Sequence, residues 1–207
     1  MIYITAVKSF QFNTTPGIRF GAEESKNTAE EVTKKLGKKI LFVTDPGLAK
    51  LGLIDDTLSA LKSNSDVLVF DNVEADPSLK TLMKCVEIGS DFKATGVIGF
   101  GGGSSMDVAK LTALLIGSNE NIHEAWGVAN AKGPRLPLVL YPTTSGTGSE
   151  VTPISIITQD DQEKKGVSSP IILPDLAILD PLLTLGLPPH TTAATGIDAM
   201  VHAIESY

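Results

Sequence analysis

Short apolar runs and helical stripes alternate along most of this chain. Ile40-Leu41-Phe42-Val43, Val67-Leu68-Val69-Phe70, Val97-Ile98-Gly99-Phe100 and Leu138-Val139-Leu140-Tyr141 are unbroken runs, of the length and character of strands buried on both faces. Between them, apolar residues recur at helical spacing. Glu23 to Leu36 reads as a helix ended by Gly37, and Leu58 and Leu61 mark a second. Leu79, Leu82, Met83 and Val86 mark a third, and Met106, Ala109, Ala113 and Leu114 a fourth, expected over 104–116. Strand and helix in strict alternation predict an α/β fold: a Rossmann-like parallel sheet with helices on both faces.

The ends of the pattern are less regular. Ile2, Ile4, Phe10 and Phe12 alternate as in a strand, and Pro16-Gly17 is a turn before Ile18-Arg19-Phe20. Thr44-Asp45-Pro46-Gly47 reads as a turn, and Asp76-Pro77 as a helix start with Asp76 as its N-cap. Val151 to Thr158 is β-rich and turns at Asp160-Asp161-Gln162-Glu163; Ala177 to Asp180 is the last strand. From Pro181 the character changes to short helices. Two regions are therefore marked off along the chain: an α/β unit over 1–180 and a helical region over 181–207.

Composition narrows the classes. Of 207 residues, 42% are apolar and 20% charged, which suits a globular chain with a real core. The net charge of −7 argues against a nucleic-acid partner. The lone cysteine, Cys85, rules out an internal disulfide framework and fits a reducing compartment. It lies in a helical apolar stripe, where a packed thiol is the expected reading. The most apolar segment, Pro170 to Pro189, holds five prolines with Asp175 and Asp180, so no membrane helix is expected there. With no basic leader ahead of a long apolar core near Met1, a cytoplasmic location is expected.

The chemistry concentrates in three places. After the run ending at Phe100, Gly101-Gly102-Gly103 lets the backbone turn without a Cβ, and Ser104 offers an N-cap to the next helix. A strand, a glycine loop and a helix N-terminus make an anion site, because unpaired amides and the helix dipole face outward. A dinucleotide pyrophosphate suits it, although a plain strand-to-helix turn has the same ingredients. The loop is neither the Rossmann fingerprint nor a P-loop, since Ser104 stands at the third glycine position and no Gly-Lys-Ser/Thr follows. Asp45 ends a strand, where a carboxylate can accept from ribose hydroxyls and repel a 2′-phosphate; an Asp-Pro-Gly turn is the bland alternative. Asp198 and His202, four apart on one helical face, could share a divalent metal, although a surface Asp–His pair is commoner.

The string Gly99-Phe100-Gly101-Gly102-Gly103-Ser104-Ser105-Met106-Asp107-Val108-Ala109-Lys110 resembles the Gly-Gly-Gly-Ser-x-x-Asp-x-x-Lys motif of the iron-containing (group III) alcohol dehydrogenases. Pro142-Thr143-Thr144-Ser145-Gly146-Thr147-Gly148-Ser149-Glu150-Val151-Thr152 is similar to that family's second cofactor loop. The stretch from Ala177 to Glu205, with Asp180, Pro188, Thr195, Asp198 and Glu205, resembles its signature. The resemblance spans essentially this whole chain and about the N-terminal half of the family's architecture, and it implies a dinucleotide-binding α/β domain over 1–180 and, over 181–207, the start of a truncated all-helical metal-binding domain.

It implies an NAD-dependent oxidoreductase that moves hydride between a small alcohol or aldehyde and NAD, aided by a divalent metal, Fe2+ or alternatively Zn2+. The cofactor-binding residues it implies are Asp45, Gly102, Gly103, Ser104, Asp107, Thr143, Thr144, Thr152 and Lys165, with Lys164 an alternative to the last. The metal ligands it implies are Asp198 and His202, two of four, the others being later histidines in the family. His123 and His190 do not occupy those positions. Asp76-Pro77-Ser78 departs from the family's Asn-Pro-Thr. The family also implies a homo-oligomer, a dimer, for the full-length protein. Two other readings stand beside this one: an NAD-binding fragment without turnover, and a relative of the dehydroquinate synthase-like lyases.

Overall fold

The computed structural model describes residues 9–207. In chain order the elements are β1 (Ile18–Phe20), α1 (Glu24–Asn27), α2 (Ala29–Leu36), β2 (Lys39–Val43), α3 (Pro46–Lys50), α4 (Asp55–Lys62) and β3 (Asp66–Phe70). There follow α5 (Leu79–Asp91), β4 (Gly96–Gly101), α6 (Gly103–Ser118), α7 (Ile122–Ala125), β5 (Gly127–Val128) and β6 (Leu138–Pro142). The chain continues through β7 (Ile154–Thr158), β8 (Lys164–Ser168), β9 (Leu176–Leu179) and α8 (Pro189–Glu205).

Six strands form a wholly parallel sheet in the order β1-β9-β6-β4-β2-β3. Parallel strands need both faces covered, and the apolar runs supply this by alternation. Leu41, Val43, Val97, Leu138 and Leu140 join the core under α5 and α6. Ile40, Phe42, Ile98, Phe100, Val139 and Tyr141 join the core on the opposite face with α2 and α4. On that second face Phe42, Phe100 and Tyr141 lie across neighbouring strands with ring centroids 5.4 and 5.6 Å apart, the offset spacing aromatic rings prefer. A small sheet, β5-β8-β7, lies beside the main one.

Strand order locates the crevice. From β2 the chain moves to β3 on one side, whereas from β4 it moves to β6 on the other. The order therefore reverses between β2 and β4, and in open α/β sheets ligands bind beyond the carboxyl ends of the strands at such a switch. Asp45 follows β2 and Gly102 follows β4, so both stand at that edge.

Several expectations need correcting. Ile2 and Ile4 fall outside the described residues, while Phe10 and Phe12 are in no strand and are each 81% exposed. Glu23–Leu36 is two helices broken at Thr28, with Glu23 at φ 66°. Asp45-Pro46-Gly47 is no simple turn but a helix start: Asp45 Oδ1 accepts from the amides of Gly47 and Leu48 at 2.8 and 3.0 Å, with proline at the first helical position. Asp76, at φ 53°, is not the cap of α5; Ser78 is, its Oγ accepting from the Thr81 amide. Ser104 lies inside the first turn of α6, and Gly102 holds the N-cap position. Beyond Pro181 comes one 3-10 turn, then a single 17-residue helix rather than several short ones.

Candidate functional site

The edge at the switch point opens into a cleft of about 470 Å³ lined by Asp45, Gly102, Gly103, Ser104, Thr143 and Thr144 among others. These six come from the ends of β2, β4 and β6, so strand adjacency alone gathers segments a hundred residues apart in sequence. Two glycines set the floor. Gly101 has φ +147°, and a Cβ there would meet Ser105 Oγ at 2.8 Å. Gly99 sits under α6, where a Cβ would meet Leu140 at 2.6 Å and Ala109 at 2.8 Å. Helix and strand approach this closely only because position 99 has no side chain.

Gly102 is different. Its φ is −76°, and a Cβ there would make only ordinary contacts, 3.6 and 3.7 Å to Thr144. The fold does not need glycine at 102, but a side chain would stand over the helix N-terminus. The first amides of α6 have no intrahelical acceptor, and Gly103, Ser104 and Ser105 carry them into the cleft lining. The residues present thus fit a dinucleotide: bare amides at a helix start, hydroxyls of Thr143 and Thr144 opposite, and Asp45 on the adjoining wall. Asp45 Oδ1 caps α3, and Oδ2 has no protein donor among the described residues.

Three predicted residues are not brought to this cleft. The Asp107 carboxylate accepts from Ser149 Oγ at 2.8 Å and the Ile156 amide at 2.9 Å. Thr152 presents its carbonyl to Lys110 Nζ at 3.0 Å. Lys165 lies on β8 with Glu163 3.6 Å away; its neighbour Lys164 reaches Asp76 instead. Conversely, Val73, Glu74 and Ala75 line the cleft after β3, as do Leu187, Pro188 and Thr191. Burial disfavours a charged Glu74, yet hydrogen bonds from Ser78 and Thr81 hold its carboxyl below the ordinary value. The sequence signal for 73–75 was available: β3 is the parallel neighbour of β2, so the loop after it must open on the same edge.

The metal candidates stand apart. Asp198 Oδ1 and His202 Nε2 are 3.7 Å apart on α8, both partly exposed. Carboxylate and imidazole suit a divalent cation, but no group of three or more candidate ligands exists among the described residues. Two donors on one helix face do not enclose an ion, so the residues present do not by themselves fit the metal. Only the start of α8 meets the cleft: Thr191 lines it, and Gly146 abuts Thr195, whose carbonyl would be 2.7 Å from any Cβ placed at 146.

Comparison with known proteins adds context. The family model for iron-containing alcohol dehydrogenase matches residues 15–181. Sulfoacetaldehyde reductase of Bilophila wadsworthia is 40% identical over 201 residues, covering 96% of this chain and 52% of its own length. Long-chain-alcohol dehydrogenase 1 of Geobacillus thermodenitrificans is 46% identical over 179 residues, covering 84% and 45% respectively. Sulfoacetaldehyde reductase from Bifidobacterium kashiwanohense, solved in complex with NAD+, superposes with a TM-score of 0.87 at 30% identity. That match covers 97% of this chain and 54% of the neighbour. The chain spans about half the length of the curated relatives it matches.

Proposed function

This chain belongs to the iron-containing alcohol dehydrogenase family, and from that premise we propose that its cleft binds NAD for hydride transfer between an alcohol and its aldehyde. The observation that carries the reading is the meeting of Asp45, Gly102–Ser104 and Thr143–Thr144 at the switch point of the sheet. The amides of Gly103 to Ser105 hold the pyrophosphate, aided by the helix dipole. Asp45 Oδ2 accepts from the adenosine ribose hydroxyls and disfavours a 2′-phosphate, which makes NAD the preferred cofactor. Thr143 and Thr144 hydroxyls fix the loop side of the dinucleotide. Bound NAD supplies the hydride acceptor; the chain's own residues bind and orient it.

The region from Pro181 reads as the opening of a helical metal-binding domain, with Asp198 and His202 as donors. A tight catalytic site needs at least three protein ligands, so these two should hold Fe2+ or Zn2+ poorly, and the chain tested alone should bind NAD without oxidising alcohols. The family match favours this over a lyase of the dehydroquinate synthase type.

Calorimetric titration of NAD into the wild type and into Gly102→Val tests the cleft. The variant should fold, because position 102 has room for a Cβ, and bind NAD at least about tenfold more weakly, the loss of roughly 1.4 kcal/mol of amide–phosphate contact. A folded Gly102→Val protein with unchanged affinity removes the glycine loop from the site.

A further inference from the structure

Lys110 is a wholly buried cation that touches no part of the cleft. It lies on α6 one turn beyond Asp107, on the same face. Its ammonium donates to Ser149 Oγ at 2.9 Å, the Thr152 carbonyl at 3.0 Å and the Ile154 carbonyl at 2.8 Å. Three N–H groups thus meet three acceptors, and all three belong to the segment that leaves the Thr143–Ser149 loop. Ser149 Oγ passes its own hydrogen to Asp107 Oδ1 at 2.8 Å. Asp107 Oδ2 takes the Ile156 amide at 2.9 Å, and the Asp107 carbonyl takes Ser155 Oγ at 3.0 Å. The loop's other end is tied to the sheet by the Thr143 amide on the Gly101 carbonyl, 3.0 Å.

We propose that Lys110 is a positioning residue: with Asp107 it clamps the far end of the Thr143–Ser149 loop onto α6, so that the loop and the helix N-terminus stay in register as two walls of one cleft. The inference rests on the reading that this cleft binds a dinucleotide. It assigns Asp107 and Lys110 a role in holding the site's second wall rather than in touching the ligand. The need for such a clamp follows from the loop's composition. Gly146 and Gly148 loosen its backbone and its other residues carry only small threonine and serine side chains, and a segment tied at one end only would lose the ordering that ligand binding requires.

Charge reinforces the geometry. Burial pushes the Lys110 ammonium down to about 8, against the attraction of Asp107 and Glu150. Burial likewise pushes the Asp107 carboxyl up, opposed by Lys110 and by bonds from Ile156 and Ser149. Of the strands packed on this helix, β4, β6 and β7 carry no charged side chain and β2 only Lys39, which is turned to the Phe92 carbonyl; the one titratable group that α5 buries is Cys85, pushed up to about 12 by burial. Tyr141 of β6 faces the opposite core and is pushed up as well. A neutral amine has two N–H groups for three acceptors, so one tie is lost on deprotonation. NAD affinity should therefore hold steady at neutral pH and fall as pH rises through about 8.

Global stability should move the other way. The folded value lies below the unfolded value of 10.5, so between about 8 and 10.5 the unfolded chain binds more protons. This group's contribution to stability then rises with pH across that window. A lysine with no part in positioning the loop would show the same rise in stability and leave NAD affinity flat across that window.

The test is backbone hydrogen exchange on Lys110→Met and the milder Ser149→Ala, each with NAD titrations from pH 6.5 to 9.5. Amides in 145–156 should exchange on the order of ten- to a hundredfold faster in Lys110→Met, the effect of freeing charge-assisted hydrogen bonds, while those of β4 and α6 keep their protection. NAD affinity should drop by roughly tenfold or more, and the fall with pH should vanish in Lys110→Met. Unchanged exchange in 145–156 in both variants overturns the clamp. So does a loosened segment with NAD bound as tightly as in the wild type. Should the wild type bind no NAD, the dinucleotide reading fails, and the exchange data alone decide whether Lys110 holds the loop.

Discussion

The β4–α6 floor and the helix α8 are both conspicuous in the sequence, yet they are built in opposite ways. Every residue of β4 is buried, and α6 buries ten side chains, including Lys110 with all its hydrogen bonds made. No residue of α8 is buried, and Ile197, Met200 and Ile204 are 62, 63 and 70% exposed. The floor is over-determined by packing, so its amides and loop can be held ready for a ligand before one arrives. The helix presents donors without a frame. Among the described residues, the cleft lining is held in place by packing, whereas the Asp198–His202 pair has no third candidate ligand beside it.

The sharpest way to break this contrast is a single side chain under α6. Gly99→Val would drive its branches into Leu140, Ala109 and the Met106 backbone, where a Cβ already lies 2.6, 2.8 and 3.2 Å away. Overpacking at a site that cannot relax costs about 3 kcal/mol, and urea denaturation should show a loss of that size. Wild-type stability in Gly99→Val would mean that the floor is looser than described.

A gentler change at the cleft wall should alter preference rather than folding. Asp45→Gly removes the charge opposed to a 2′-phosphate, and glycine serves as an N-cap at a cost of only a few tenths of a kcal/mol. The ratio of NADP to NAD dissociation constants should shrink by roughly tenfold, as expected for a repulsion of about 1 to 2 kcal/mol near a surface. Equal binding of both cofactors by the wild type would end the proposed role of Asp45.

The smallest effects belong to α8. His202→Ala and Ile204→Ser should each leave unfolding free energy within about 0.5 kcal/mol, as for exposed positions generally. Equilibrium dialysis of the wild-type chain against Zn2+ should find less than one ion per chain. Stoichiometric, tightly held metal would show that two donors suffice here.

Features of this fold are legible in the sequence to the extent that they are local. The four apolar runs became β2, β3, β4 and β6: an unbroken run suits a strand covered on both faces, as β4 and β6 are, while β3 at the sheet edge buries only Phe70. Asp45 and Gly102–Ser104 could be singled out by their place at strand ends, although a plain turn has the same ingredients, and Thr143 and Thr144 entered through the family resemblance; all of them line one cleft. Asp107, Lys110 and Thr152 could not be sorted in this way. Their roles depend on hydrogen bonds across more than forty residues, and no spacing rule encodes those. The start of α3 is not legible in the sequence, because Asp-Pro-Gly serves equally as a turn and as a capped helix start. Leu187, Pro188 and Thr191 entered the cleft through the path of the chain after β9, which the apolar pattern does not specify.

The central claim is that the unpaired amides at the start of α6 hold a dinucleotide. Residue-resolved hydrogen exchange with and without saturating NAD tests it most directly. The amides of Gly103, Ser104 and Ser105 have no intrahelical acceptor and should exchange quickly in the free chain. Bound NAD should slow them at least about tenfold, as a charge-assisted bond to phosphate would, while the amides of α8 from Ile197 onward are unaffected. Tight NAD binding that leaves the exchange of residues 103–105 unchanged would contradict the account.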